Sequence, residues 1–122
     1  MKLDHIVILL SELETCIAFY KALLPKIGFS PEKDHVFSNA DGIYLDFRQA
    51  SEPQHGYHRH APGLNHLAFT APDRESIVKI CADMADDGFE VPDIQEFEDG
   101  SALFLKDSDG MRVEISSYVQ NS

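Results

Sequence analysis

The sequence repeats itself along its length. Three segments of the first half recur in order in the second: residues 3–6 (Leu-Asp-His-Ile) as 64–67 (Leu-Asn-His-Leu), 28–29 (Gly-Phe) as 88–89, and 41–47 as 109–115. Such self-similarity indicates two copies of one supersecondary unit. The whole chain has 122 residues, so each copy is too short to bury a good core alone. We therefore expect a single domain, 1–122, in which two modules stabilise each other.

The same order of elements is predicted in both halves: a strand, a helix and then further strands. Apolar β-branched segments predict the strands, and apolar residues at helical spacing predict the helices. Ser11, with Glu14 three residues later, is the expected N-cap of the first helix, and Asp73 begins the second. The predicted strands are residues 3–10, 36–39, 43–49, 64–71, 101–106 and 111–117.

Residues 50–63 differ in composition from the rest of the chain. Proline and glycine interrupt a polar stretch there, which predicts a loop or linker between module one (1–49) and module two (64–118). The segment holds three histidines, His55, His58 and His60. They either line the mouth of a site or bind a metal, or they belong to a solvated loop, which is the preferred interpretation.

Alternation of side chains along a strand gives each predicted strand two faces. In each module one face is apolar and suits packing against the helix. The opposite face carries one histidine and one carboxylate at equivalent positions, His5 and Asp46 in module one, and His66 and Glu114 in module two. A charged carboxylate on a half-buried strand is unfavourable unless it is paired or binds a metal.

These four side chains predict a metal site if the modules pack about a pseudo-twofold axis, because they would then converge on one point. Imidazole nitrogen and carboxylate oxygen suit a borderline divalent cation such as Zn²⁺, Ni²⁺, Fe²⁺, Co²⁺ or Mn²⁺. Two histidines and one carboxylate with open positions form the facial-triad pattern of metal-activated chemistry.

Three further polar side chains are predicted to share this face, namely Tyr44, Arg48 and Arg112. They are candidates for substrate binding, since arginine suits carboxylate and phosphate groups. The alternative is that the two arginines neutralise Asp46 and Glu114.

In the order and spacing of these segments the sequence resembles the vicinal oxygen chelate superfamily. This group includes glyoxalase I, fosfomycin-resistance thiol transferases, methylmalonyl-CoA epimerase, extradiol dioxygenases and bleomycin-binding proteins. The resemblance spans nearly the whole chain, and the matching segments are residues 3–5, 19–20, 28–29, 63–69, 104 and 107–114. Such families usually have Asp-Pro-Asp-Gly before the ligand glutamate, whereas Ser108 stands at the proline position here.

The resemblance implies an α+β fold of paired βαβββ modules. They would form a cupped mixed sheet with helices on its outer face and one divalent metal ion at its centre. His5, His66 and Glu114 occupy the positions of metal ligands. Relatives of this size are usually homodimers, often with sites built from modules of both chains, so we expect a homodimer.

Asp46 lies where glyoxalase I and the epimerases have a fourth ligand, a glutamate or glutamine. Aspartate is shorter by one methylene group, so direct ligation is only one of its alternatives. The others are contact with the metal through water, action as a base, and pairing with Arg48 or Arg112.

The formal net charge of −11 argues against nucleic acid and anionic membranes as partners, since both require a basic surface. The longest apolar run, residues 6–10, is far too short to span a bilayer, and the N-terminus lacks the features of a secretory signal. Cys16 and Cys81 are too few for a disulfide framework. These features predict a soluble, reduced, cytoplasmic protein.

Two functions from different classes are compatible with the sequence. The first is a metal-dependent isomerase, lyase or thiol transferase, in which the metal polarises vicinal oxygens of a small substrate and Glu114 or Asp46 moves a proton. The alternative is a metal-independent protein of the bleomycin-resistance type that binds a drug or metabolite. Extradiol dioxygenation is disfavoured because those enzymes are usually longer chains with four modules.

Overall fold

The computed structural model describes residues 1–119. The chain forms two compact units, the first being Met1–Gly56 and the second beginning at Tyr57. The boundary between them falls inside the predicted linker. Over residues 1–119, neither helix combines the length and the apolar composition needed to cross a membrane.

Each unit contains one helix and four strands in the order βαβββ. In the first unit these are β1 (His5–Leu10), α1 (Leu13–Leu23), β2 (Ser30–Lys33), β3 (Val36–Ser38) and β4 (Tyr44–Gln49). In the second they are β5 (His66–Thr70), α2 (Arg74–Asp86), β6 (Gln95–Phe97), β7 (Gly100–Lys106) and β8 (Arg112–Tyr118). Short 3₁₀ turns cover Leu24–Ile27 and Pro53–His55.

Both sheets have the same topology. The strand orders are β1-β4-β3-β2 and β5-β8-β7-β6. In each sheet the first strand pairs parallel with the last strand of its unit, and the other pairs are antiparallel. The predicted α+β fold of two βαβββ modules with mixed sheets is therefore confirmed.

The two faces of each sheet differ as the alternation predicts. On β1 and β4 of the first unit, Leu10, Leu45 and Phe47 are buried, and the Phe47 ring lies 4.3 Å from the ring of Tyr20 on α1. In the second unit, buried residues of β8 and α2 such as Ile115 and Ile77 form the corresponding core. The opposite faces remain free for polar side chains.

The turn before the last strand of each unit is built in the same way. Asn39 Oδ1 accepts hydrogen bonds from the backbone N–H groups of Asp41 and Ile43. Asp107 Oδ1 accepts from those of Asp109 and Met111. The glycines of these turns, Gly42 and Gly110, have φ angles of 73° and 87°, which favour glycine. The sequence repeat thus reflects a repeated turn geometry, which leads into the last strand of each unit.

The start of α1 differs from the prediction. The N-cap residue is Glu12, and its side chain makes no capping hydrogen bond, so the capping box assigned to Ser11 and Glu14 is wrong. The acceptor comes from the sheet instead, because the backbone N–H of Leu13 donates to Gln49 Oε1 over 2.9 Å. By contrast, α2 begins at the predicted position, where Asp73 is the N-cap and its carboxylate accepts from the Ser76 N–H.

Two strands, β2 and β6, were not predicted from the sequence. Both are short, polar and exposed along their length, so they lack the apolar alternation on which a strand prediction depends. Glu96 lies in β6 and accepts hydrogen bonds from Arg74 and Ser101.

Candidate functional site

The first unit brings together His5, Tyr44 and Asp46. His5 is the first residue of β1, and the parallel register sets it opposite Tyr44 on β4, with Val7 opposite Asp46. A cleft of about 440 Å³ runs along this face, lined by Asp4, His5, Glu32, Lys33, Val36, Tyr44 and Asp46. Three of the predicted site residues therefore share one concave surface in this unit.

Asp46 forms an ion pair with Arg48 on the same strand. Both Nε and Nη2 of Arg48 donate to Asp46 Oδ2, over 3.1 and 2.7 Å. These hydrogen bonds and the carboxylate charge raise the pKa of the Arg48 guanidinium. Among the alternatives for Asp46, the structure contains the pairing with Arg48.

The second unit places His66 beside Glu114. The parallel register of β5 and β8 sets His66 opposite Arg112 and Ala68 opposite Glu114. The distance from His66 Nε2 to Glu114 Oε1 is 3.1 Å, and the two side chains are 32% and 16% exposed. Two predicted ligand atoms, a nitrogen and an oxygen, thus contact each other, and both side chains are largely shielded from solvent.

The remaining oxygen of Glu114 has a neutral partner. The Ser116 hydroxyl donates a short hydrogen bond to Glu114 Oε2. Ser116 and Arg48 lie two residues beyond the carboxylate of their own strand, so the two units hold equivalent carboxylates by different chemistry. Glu114 accepts from a neutral hydroxyl, whereas Asp46 is paired with a guanidinium.

Arg112 lies next to this pair but is not fully hydrogen-bonded. Its Nη2 donates to Asn65 Oδ1 over 3.2 Å, and its guanidinium lies 5.3 Å from the centre of the Phe104 ring. Its Nε is buried and has no hydrogen-bond partner in the part of the chain described. A buried donor without a partner is costly, and an anionic or carbonyl ligand would satisfy it.

Sequence reasoning missed Asn65. Its Oδ1 faces His66 Nδ1 at 2.7 Å, and its Nδ2 donates to the backbone oxygen of Arg59. Asp4 makes the equivalent contact to His5 Nδ1 in the first unit, at 2.6 Å. The signal is the repeated Leu-Asx-His segment, in which a side chain with an oxygen acceptor precedes each histidine.

The histidines between the modules are arranged unlike metal ligands. His58 Nδ1 accepts from the backbone N–H of His60, and His60 Nε2 accepts from Arg59 Nε. His55 Nδ1 contacts the carbonyl oxygen of Gly56. All three side chains are exposed, and lone pairs that already accept protein hydrogen bonds are poorly available to a cation. These observations favour the interpretation as a solvated loop.

The donor chemistry of His66 and Glu114 in the second unit fits a divalent cation. A neutral imidazole carries one N–H, so a neutral His66 ring cannot donate both to Asn65 and to Glu114. A divalent cation held by His66 and Glu114 would resolve this conflict, and the 3.1 Å between their facing atoms is compatible with two ligands of one ion. Within residues 1–119, neither unit by itself groups three or more histidine, cysteine or acidic side chains closely enough to hold a metal ion.

Comparison with solved structures shows that the fold is shared widely. The chain superimposes on a crystal structure from Bacillus halodurans with a TM-score of 0.80 and 27% identity, covering 94% of each chain. It also matches lactoylglutathione lyase from Agrobacterium tumefaciens, with a TM-score of 0.68, 13% identity, and coverage of 95% of this chain and 92% of that one. The second likeness, at this identity, concerns the fold alone.

Comparison of sequences gives the family. The protein YqjT of Bacillus subtilis (strain 168), itself uncharacterized, is 30% identical over 123 aligned positions, which cover 93% of this chain and 96% of YqjT. The family model of the Glyoxalase/Bleomycin resistance protein/Dioxygenase superfamily matches residues 2–115. With the repeated βαβββ fold, this match establishes that the chain belongs to the Glyoxalase/Bleomycin resistance protein/Dioxygenase superfamily.

Proposed function

We propose that the protein is a small metal-dependent enzyme of the glyoxalase and fosfomycin-resistance kind. Its divalent cation would be held by His66 and Glu114 of the second unit, and His5 stays a prediction as a further ligand. The observation that carries the proposal is the 3.1 Å contact between His66 Nε2 and Glu114 Oε1, because each atom offers a lone pair. When bound, a divalent cation would polarise vicinal oxygens of a small substrate and stabilise developing negative charge.

Asp46 is the carboxylate that we propose to move the proton. In this assignment Glu114 uses Oε1 for the cation and Oε2 for the Ser116 hydroxyl. Both hydrogen bonds from Arg48 fall on Asp46 Oδ2, so Oδ1 is the oxygen that would take a substrate proton. Glu114 is the alternative group to move the proton.

The substrate would be small and would carry an anionic group. Arg112 supports this, since its buried Nε lacks a partner within residues 1–119 and a guanidinium binds carboxylate or phosphate well. Tyr44 and Arg48 would contribute on the face of the first unit. Isomerase, lyase and thiol-transferase substrates are the classes to screen first.

We also propose that the protein is a homodimer. Val7 and Leu9 lie on the β1 face that carries His5 and are 39% and 58% exposed. Apolar side chains exposed along one strand face are typical of surfaces that associate. Light scattering coupled to size-exclusion chromatography would detect a species of twice the chain mass, and a monomer at working concentration would contradict the proposal.

Elemental analysis of the purified protein, joined to thermal unfolding with and without EDTA, tests the proposed function. A metal that binds only the native state stabilises it by about 2.7 kcal/mol at a free concentration of 100 Kd. The chelator should therefore lower Tm of the wild type, and His66→Ala should abolish the effect. His58→Ala, which removes an exposed imidazole, is the matched control and should retain it.

The alternative function predicts a different result. A metal-independent binding protein would contain no stoichiometric metal after growth in supplemented medium, and EDTA would leave its Tm unchanged. That outcome would refute the metal-dependent enzyme and favour a protein that binds a drug or metabolite.

A further inference from the structure

The residue before each proposed histidine ligand touches the imidazole ring. Asp4 Oδ2 lies 2.6 Å from His5 Nδ1, and Asn65 Oδ1 lies 2.7 Å from His66 Nδ1. Neighbouring side chains within a strand point to opposite faces. Here β1 and β5 begin at the histidines themselves, so the preceding residue lies outside the strand and its side chain can lie beside the ring.

Asn65 is held in place by three further hydrogen bonds. Its Nδ2 donates to the backbone oxygen of Arg59 over 2.9 Å, and its Oδ1 accepts from Arg112 Nη2. Its own backbone oxygen accepts from the Tyr57 hydroxyl over 2.6 Å. The carboxamide therefore has a fixed orientation, with its oxygen towards His66 and Arg112 and its nitrogen towards the loop.

This orientation decides which ring nitrogen of His66 can bind a cation. A carboxamide oxygen only accepts, so the proton of a neutral His66 ring belongs on Nδ1 when that contact is a hydrogen bond. The lone pair is then on Nε2, the atom that faces Glu114. Partners of this kind on the second ring nitrogen orient metal-binding histidines, and their loss typically weakens metal affinity about 10–100-fold.

We propose that Asn65 is a positioning residue that presents His66 Nε2 to the cation and joins His66 to Arg112. The inference rests on the proposed metal-dependent function. It assigns a role to the repeated Asx-His pair, with Asp4 as the equivalent residue beside His5.

Zn²⁺ affinity, measured by competition with a chromogenic chelator, tests the role of Asn65. Asn65→Leu keeps a similar side-chain volume but removes both polar groups, and should weaken Zn²⁺ binding about 10–100-fold. Asn65→Asp keeps an oxygen acceptor, as Asp4 does beside His5, and should bind at least as tightly as wild type. Tyr57→Phe, which removes the hydroxyl that anchors the loop but keeps the carboxamide, should stay close to wild type.

A spectroscopic readout separates positioning from general loss of structure. In the zinc-loaded wild type, ¹⁵N-resolved NMR should show the His66 Nδ1–H protected from solvent exchange, and in Asn65→Leu this proton should exchange rapidly while the fold is retained.

The outcomes separate this inference from the function on which it rests. If the wild type binds no Zn²⁺, both the proposed function and this inference are refuted. If the wild type binds Zn²⁺ and Asn65→Leu binds it with the same affinity, only the inference about Asn65 is refuted. Equal weakening in Tyr57→Phe and Asn65→Leu also overturns it, because anchoring of the loop would then explain the effect.

Discussion

Gln49 connects the end of β4 to the start of α1, and its replacement should destabilise the protein. Its Oε1 accepts from the Leu13 N–H over 2.9 Å, while its Nε2 donates to the backbone oxygens of Ser11 and Ala50 over 2.8 and 3.1 Å. It thus performs the capping that α1 lacks at Glu12. Gln49→Leu removes all three hydrogen bonds at nearly constant volume.

Loss of an N-cap acceptor costs about 0.5–2 kcal/mol. The two carbonyl oxygens lie at the surface and can bind water, so they should add little. We expect about 1–2 kcal/mol in total, which lowers Tm by roughly 4–8 °C in a domain of this size. Urea unfolding followed by circular dichroism measures it.

Gln49→Glu is the matched variant, since it keeps the acceptor at Leu13 and places a negative charge at a helix N-terminus, which is favourable. It should lose much less stability than Gln49→Leu. If Gln49→Leu unfolds within about 0.5 kcal/mol of wild type, or if both variants lose equal stability, the sheet does not cap the helix and the reasoning is wrong.

Three further predictions concern parts of the second unit remote from His66. Gly100→Ala should destabilise by about 1–3 kcal/mol in urea unfolding, because its Cβ would lie 2.0 Å from the Ser117 carbonyl oxygen; unchanged stability would show that β7 and β8 separate easily. Hydrogen bonds from the Ser76 side chain and backbone lower the pKa of Asp73. The Asp73 carboxylate therefore stabilises the fold above the pKa it has in the unfolded chain, and this stabilisation is lost as the pH falls through its pKa in the folded protein. Asp73→Asn should therefore reduce the fall of the urea midpoint across that acidic range, and an identical pH profile would argue against the cap. Burial raises the pKa of the Cys81 thiol. With rising pH, alkylation of Cys81 should therefore begin to accelerate at a higher pH in the folded protein than in the urea-unfolded chain. Mass spectrometry measures both rates, and equal pH profiles would contradict this prediction.

The repeat made most of the fold predictable. Copies of one segment order imply copies of one unit, and the Asp-Gly turns at 41–42 and 109–110 place the last strand of each. Periodicity then assigned the faces, so His5 and Asp46 were expected on one side of the first sheet, and the structure places them there.

What the sequence did not predict depends on contacts between distant residues. The acceptor for Leu13 comes from Gln49, 36 positions away, whereas a capping box is a local pattern. Strands β2 and β6 pair by their backbones while their side chains stay exposed, so hydrophobicity gives no signal for them. The role of Asn65 depends on its contacts to Arg59 and Arg112, which no local spacing reveals.

The central claim is that His66 and Glu114 bind a divalent cation, and X-ray absorption of the zinc-loaded protein tests it most directly. The account predicts a nitrogen and oxygen coordination shell with imidazole scattering. One imidazole contribution should be lost in His66→Ala and none in His58→Ala, and Glu114→Gln should reduce zinc occupancy. A spectrum unaffected by His66→Ala and Glu114→Gln, or a protein that takes up no zinc, would contradict the account.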